Sequence, residues 1–283
     1  MNNTRSVIIA GVVRNNGSSI VSNIRAIHSA FDKFEVRGWI IVESDSDDNT
    51  ADEINKIIDE YNITFVQLGD LRHTIASRTE RIAYCRNKYV DVISSLGDKA
   101  AVDFVVVVDL DGVNTKLNSR NIEACWECSL NWDVCFPNQD APYYDIYALR
   151  KNYWSDCNCD DLVNFYVSTG MHFDTACKKA IYDKMIRIPQ HLEPISVMSA
   201  FGGLAIYKRY TFSLGRYEGK IGDTDVCEHV SFHLAMHECG ARMYIIPKLI
   251  NHGWNEHSLR SIRAFRYLFK IRDKITLFYK KYM

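Results

Sequence analysis

Four consecutive valines, Val105 to Val108, run into Asp109 and Asp111, with one leucine between the acids and Gly112 after them. Residues two apart on an extended chain project to the same side, so both carboxylates can present oxygens to one place. Two chemistries suit such a pair. Hard cations take oxygen ligands, commonly a carboxylate or two completed by phosphate oxygens, so the pair can hold Mg2+ or Mn2+ beneath a diphosphate. Alternatively, Asp109 can attack a phosphoryl group as a nucleophile. A third reading needs no ligand: an Asp-Gly turn that closes a strand.

The elements that must position this pair follow from the hydrophobic pattern. "SVIIAGVV" (6–13), "GWIIVES" (38–44) and "ITFVQLG" (63–69) read as strands, and "DFVVVVDLD" lacks alternation, as a strand buried on both faces does. Between them Ile20, Ile24 and Ile27 recur at helical spacing. "ADEINKIIDEY" reads as a second helix, and "RTERIAYCRNKYVDVISSL" as an amphipathic one with Ile82, Tyr89 and Ile93 inward. Strand and helix in this rhythm predict a parallel α/β sheet, whose ligands sit beyond the carboxyl ends of the strands. Asn15, Glu43 and Asp109 all fall at such ends. Beyond residue 115 the pattern loosens. "WDVCFPN", "YYDIYALR" and "SAFGGLAIYKR" read as shorter strands or loops. "CEHVSFHLAMHECG" reads as a helix closed by Gly240, "ARMYIIP" as a strand and "NHGWNEH" as a loop.

The 283 residues are 47% hydrophobic with a formal net charge of −1, which supports a sizeable core and gives no global pull toward nucleic acid. Nine scattered cysteines fit a reducing compartment better than a disulfide framework. The apolar run Val7 to Val13 is too short to span a membrane. A cytoplasmic protein, soluble or peripheral on a membrane surface, is the expectation.

The motifs in order carry a resemblance. "VIIAGVVRNN", "WIIVESDSDDNTADEI", "SRTERIAYCRN", the D-x-D strand and "CEHVSFHLAMHECGARMYIIPKLINH" are similar to successive motifs of GT-A-fold, nucleotide-sugar-dependent glycosyltransferases of the family-2, surface-polysaccharide type. The likeness runs from about residue 6 to residue 252. It implies an α/β, Rossmann-like, mostly parallel sheet flanked by helices. The nucleotide half would be 1–114, the acceptor half 115–257, and the tail 258–283. "VVVVDLDGVNT" also resembles the first motif of haloacid-dehalogenase-type phosphatases, and "KIGDTD" (220–225) their later Gly-Asp element. However, "FSLGRYEGK" before the latter is no buried strand, and about a hundred residues of α/β precede the former. A non-catalytic nucleotide-sugar-binding module is the remaining alternative.

The glycosyltransferase resemblance implies roles. Glu43 and Asp45 would meet nucleobase and ribose; an acidic loop capping the next helix is their ordinary reading. Arg14 and Asn15 lie at the mouth of the first strand. Arg78 and Arg86, eight apart on one helix face, suit a diphosphate, or else a solvated face. Asp109 and Asp111 would bind Mn2+ or Mg2+, with His252 completing the metal or phosphate site. Glu228 is the candidate base, with His229 and Asp225 as alternatives. The family pairs Glu with Asp here, whereas this chain has Glu228-His229, so a retaining mechanism stays open beside an inverting one. Gly202 and Gly203 would let the backbone approach the donor sugar. Tyr144, Asp145 and Arg150 would bind the acceptor, a glycan or lipid-linked saccharide. No nucleic-acid partner is expected.

Two further features stand apart. From Ser258 to Met283 there are eight Lys or Arg and one acid. Ile262, Phe265, Phe269, Ile275, Phe278 and Tyr282 fall at near-helical spacing, with Arg263, Arg266, Lys270 and Lys274 on another side. This predicts a basic helix that either touches a membrane surface or packs on the domain with a wet face. Cys125 with Cys128, and Cys157 with Cys159, could hold a structural zinc, although the spacing between the pairs matches no known ligand set.

Overall fold

A computed structural model describes residues 4–97, 102–269 and 272. Strands β1 (Ser6–Val13), β2 (Glu35–Glu43), β3 (Ile63–Gln67) and β4 (Phe104–Asp109) form the parallel part of the sheet. Joining them are helices α1 (Ile20–Ala30), α2 (Thr50–Asn55), α3 (Ile58–Tyr61) and α4 (Arg78–Ser95). The single helix expected over 51–61 is thus two, separated at Lys56–Ile57. The chain continues through α5 (Ser119–Glu127), β5 (Val134–Gln139), α6 (Cys159–Ser168), α7 (Phe173–Ala180), β6 (Ile195–Ser196) and β7 (Leu204–Lys208). There follow β8 (Lys220–Ile221), β9 (Thr224–Asp225), α8 (Glu228–Glu238), β10 (Met243–His252) and α9 (Glu256–Leu259), and residues 263–269 are helical as well. "YYDIYALR" forms no strand, only an isolated bridge from Arg150 to Ser199.

Eight strands make one sheet in the order β3-β2-β1-β4-β7-β5-β10-β6. β7 runs antiparallel between β4 and β5, and β6 antiparallel to β10. The expected mostly parallel α/β architecture is therefore the observed one, and both halves of the chain share the sheet. Alternate residues feed two cores. Ile8, Ala10, Val105 and Val107 pack with Tyr89 and Val90 of α4 and Phe232 of α8. Val7, Ile9, Val106 and Val108 pack with Ile20, Ile24 and Ile27 of α1. Polar residues inside these strands would have no place on either face, which is why β4 reads as an unbroken valine run.

Register sets where the site must lie. Val12 of β1 pairs with Asp109 and Val13 with Glu43, so the carboxyl ends of three strands reach the same level. Ser77 caps α4 by accepting from the Glu80 N–H at 3.3 Å, which fixes the helix start beside that edge.

At the other end, buried Asp133 accepts from Arg242 Nε and the Arg242 N–H, both at 2.9 Å, and pairs with Lys208 at 3.2 Å. Burial alone would raise this carboxyl, but the hydrogen bonds from Arg242, then Tyr210 and Lys208, hold it well below its ordinary value. A depressed carboxylate stabilises the fold above its unfolded-state pKa of about 4, and that contribution is lost as pH falls through the folded value. Asp133→Asn is expected to cost about 2 kcal/mol near neutral pH. In urea titrations, the deficit against wild type should shrink below about pH 4. A deficit unchanged by acid would rule this account out.

Candidate functional site

Beyond the ends of β1, β2 and β4 opens a crevice of about 430 Å³. β4 delivers Asp109 and the loop after it Asp111; α4 delivers Arg78, Arg81 and Arg86; the first turn of α8 delivers Glu228 and His229. Arg14, Asp45 and Asp145 complete the charged lining. Segments far apart in sequence therefore converge as expected for a parallel sheet.

The centre of the site is Arg86, 4% exposed. Its Nε donates to Glu228 Oε1 at 2.9 Å, Nη2 to Asp109 Oδ1 at 3.1 Å and Nη1 to the Tyr89 hydroxyl at 3.3 Å. Its guanidinium also lies 5.2 Å from the Phe201 ring centroid. Burial disfavours its charge, but Tyr89, Glu228 and Asp109 outweigh this and keep it protonated. The side chain expected on a diphosphate is thus committed to two carboxylates of the protein.

Asp111 is different. It is open at the rim by surface area, yet protein hems it in, and no cationic side chain pairs with it among the described residues. Desolvation, then the charge of Asp109, pushes it up to about 6. Two carboxylates that repel each other at the mouth of a crevice, with one oxygen-rich side unmatched, suit a hard divalent cation. Among the described residues, no group of three or more His, Cys, Asp or Glu is placed to hold a metal. The cysteine pairs therefore do not form the zinc site considered from sequence. His252 is not in the crevice lining, and its Nδ1 lies 3.0 Å from Thr115 Oγ1. Any cation would rest on Asp109, Asp111 and ligand oxygens.

The other expected residues divide. Arg78, exposed on the first turn of α4, lines the crevice and has no partner among the described residues. Arg14 lines it too, with Nε donating to the Asp45 carbonyl at 3.1 Å. Asp45 is buried at φ 60°. Its Oδ1 accepts from the N–H groups of Leu71 and Arg72, and Arg81 stands 3.7 Å from Oδ2. Glu43 and Asn15 are outside the lining. Glu43 Oε1 accepts from the Ser46 N–H, and Asn15 Oδ1 from the Asp47 N–H, so both brace the 44–48 loop. Asn16, one residue on, faces the crevice instead.

On the far side, Asp145 accepts from the Gly202 N–H at 2.8 Å and the Ala148 N–H at 3.2 Å, and burial pushes it up to about 6. Tyr144 stacks on His257 outside the lining. Arg150 is buried, with Nη1 on the carbonyls of Tyr147 and Leu149, and does not reach the crevice. Tyr147 and Phe201 occupy the lining that Tyr144 and Arg150 were expected to fill.

Among the base candidates, Asp225 is exposed, accepts from Ser77 Oγ at 2.8 Å and lies outside the lining. His229, 2% exposed, stacks on Phe201 with ring centroids 3.6 Å apart, and neither ring nitrogen has a partner. Burial, then Arg86 and His233, pushes its pKa well down, so the ring is neutral. Glu228 lines the crevice. Arg86 takes its Oε1, and Oε2 has no partner among the described residues.

Gly202 and Gly203 have φ of +66° and +93°. A Cβ on Gly203 would lie 2.4 Å from Val113 Cγ2, and one on Gly202 2.7 Å from Gln139 Nε2. The close approach they permit is to the protein's own chain. The Gly203 carbonyl in turn accepts from the Asp109 N–H at 3.0 Å. Gly203→Ala should therefore destabilise by about 2–4 kcal/mol through positive φ and overpacking. A urea midpoint equal to wild type would show that the loop relaxes freely.

No family model and no curated protein matches the sequence. Solved structures do resemble it. One is the mannosyltransferase PcManGT from Pyrobaculum calidifontis in complex with GDP-Man and Mn2+. It has 14% identity over 88% of this chain and 56% of that one, with TM-score 0.48. Another is TarS 1–349 from S. aureus, with 12% identity, 95% and 65% coverage and TM-score 0.48. A third is glucosyl-3-phosphoglycerate synthase from Mycobacterium tuberculosis with UDP, with 11% identity, 88% and 69% coverage and TM-score 0.42. The chain thus spans 56% and 65% of the lengths of the first two.

Proposed function

We propose that this chain is a metal-dependent glycosyltransferase that moves a sugar from a UDP- or GDP-sugar to a glycan or lipid-linked saccharide, with inversion. The observation that carries the reading is the uncompensated Asp111 beside Asp109 at the mouth of a crevice whose lining also holds Arg78, a guanidinium without a partner among the described residues. One side would take a cation and the other a phosphate, the two needs of a nucleoside diphosphate.

Asp109 and Asp111 would hold Mn2+ or Mg2+, which when bound neutralises charge growing on the departing diphosphate. Arg78 and Arg14 would bind phosphate oxygens, and Asp45 with Arg81 the nucleoside. Arg86 orients Asp109 and Glu228. Glu228, anchored through Oε1, keeps Oε2 free to take the proton of an attacking acceptor hydroxyl. His229 is neutral and walled in, which supports packing on Phe201 rather than proton transfer. His252, outside the crevice lining, takes no part in this arrangement. The phosphatase alternative loses its second acid, because "KIGDTD" is the exposed β8–β9 hairpin.

Mn2+ together with UDP or GDP should raise the melting temperature, whereas nucleotide without metal should not, and Asp111→Asn should abolish the rise. Glu228→Gln should slow release of nucleoside diphosphate from a panel of UDP- and GDP-sugars by about 100-fold or more while binding remains detectable. Binding without any turnover in wild type would favour the non-catalytic module. Full turnover in Glu228→Gln would remove Glu228 as base.

We further infer that the 258–283 segment rests on a membrane surface in surface-polysaccharide synthesis, on the cytoplasmic side. Residues 263–269 are helical, with Phe265, Tyr267 and Leu268 exposed beside Arg263. Arg266 packs over Tyr182, and Arg260 bonds Glu256. Lys270, Lys274, Ile275, Phe278 and Tyr282 lie outside the described residues. Among those described, no helix is long and apolar enough to cross a membrane. The full chain should sediment with phosphatidylglycerol vesicles at low salt, and Arg263→Glu with Leu268→Ser should release it. Equal sedimentation of both proteins would refute the contact.

A further inference from the structure

The glycosyl-transfer reading gives Asp109 and Glu228 separate tasks, one at the metal and one at the acceptor. The structure joins them through a single buried cation. Nη2 of Arg86 is spent on Asp109 and Nε on Glu228, and among the described residues no other cation reaches either carboxylate; the neutral ring of His229 lies 3.7 Å from Glu228 Oε1. Tyr89, Phe201 and Tyr217 surround the guanidinium, which stays only 4% exposed at the crevice wall.

We propose that Arg86 is a positioning residue that couples occupancy of the Asp109–Asp111 cation site to the orientation of Glu228. The inference rests on the proposed function and goes beyond it, because neither site acts independently in this arrangement. The reason is competition for charge. On Asp109, Arg86 is a rival of a divalent cation, since both seek the same carboxylate. On Glu228 it is an anchor. When a cation takes over Asp109, the guanidinium's free charge falls to Glu228 and fixes it more firmly for the acceptor. When Glu228 loses its charge, Arg86 turns to Asp109 and opposes the cation. Binding free energies linked in this way are reciprocal.

The signs of the expected effects separate this from a general structural role. Mn2+ binding is read by electron paramagnetic resonance in the presence of UDP and, separately, GDP. Arg86→Gln removes the rival, so Mn2+ should bind about threefold tighter or more, yet turnover of UDP- and GDP-sugars should fall about tenfold because Glu228 is unanchored. Loss of folding would lower both. Glu228→Gln, which alters only a charge, should weaken Mn2+ about threefold although Glu228 is not a ligand. In the Arg86→Gln background that weakening should disappear. If Arg86→Gln does not fold, the Glu228→Gln shift decides the matter alone.

Wild-type protein that binds Mn2+ with neither nucleotide would remove the glycosyl-transfer reading and this one with it. Wild type that binds Mn2+ while Glu228→Gln leaves the affinity unmoved would remove the coupling alone, as would weaker Mn2+ binding in folded Arg86→Gln.

Discussion

A guanidinium without water is costly unless its charge is met on every side, and Arg86 meets this condition through Asp109, Glu228 and Tyr89. That one requirement ties together three elements distant in sequence. α4 must start at Ser77 and run two turns before Arg86 comes level with the end of β4. β4 must stop at Asp109. α8 must present its first turn to the same point, where an acid is also favoured by the helix terminus. Removing either carboxylate would leave the other charges buried and mismatched, so the site and the packing beneath it are one structure.

The electrostatics divide the crevice. Arg14, Arg78 and Arg81 come from the end of β1 and from α4, with Asp45 set against Arg14 and Arg81, while Asp109, Asp111 and Glu228 come from β4, the loop after it and α8, and Asp145 from the chain beside Gly202. Both Asp111 and Asp145 are raised to about 6 by desolvation and by neighbouring carboxylates. An anionic acceptor would meet repulsion there until a cation is bound. A neutral, hydroxyl-rich molecule would meet acceptors for its protons. Phe201 and Tyr147 supply apolar faces on the same side, the combination that suits a sugar ring.

The sequence was most legible where burial acts on both faces at once. β1, β2, β4, α1 and α4 announce themselves because apolar residues have no alternative there. α5, α6 and α7 did not, since each spans ten residues or fewer. α6 and α7 bury mainly Val163, Ala176 and Ala180 between them, too few for a visible period. Their starts were written in Asn118, Asn158 and His172, each accepting from the N–H two or three residues on. The site divided in a similar way. Asp109, Asp111, Arg78 and Glu228 line the crevice where the pattern places them, because strand ends and helix starts fix direction. Asn16, not Asn15, lines the crevice, because Asn15 sits at a left-handed turn, φ 50°, where counting along an extended strand fails. Arg150, expected at the acceptor, is instead buried with its Nη1 on backbone carbonyls, a fate that no spacing rule reveals.

β7 is inserted antiparallel between β4 and β5, hydrogen-bonded to both. It joins β4, over five paired positions, to β5 of the second half, over two. Such a seam makes the two halves share one sheet, so the segments above it are where the architecture has room to vary. Diversification within this architecture would accordingly proceed by exchange of those covering segments, over a platform that stays fixed.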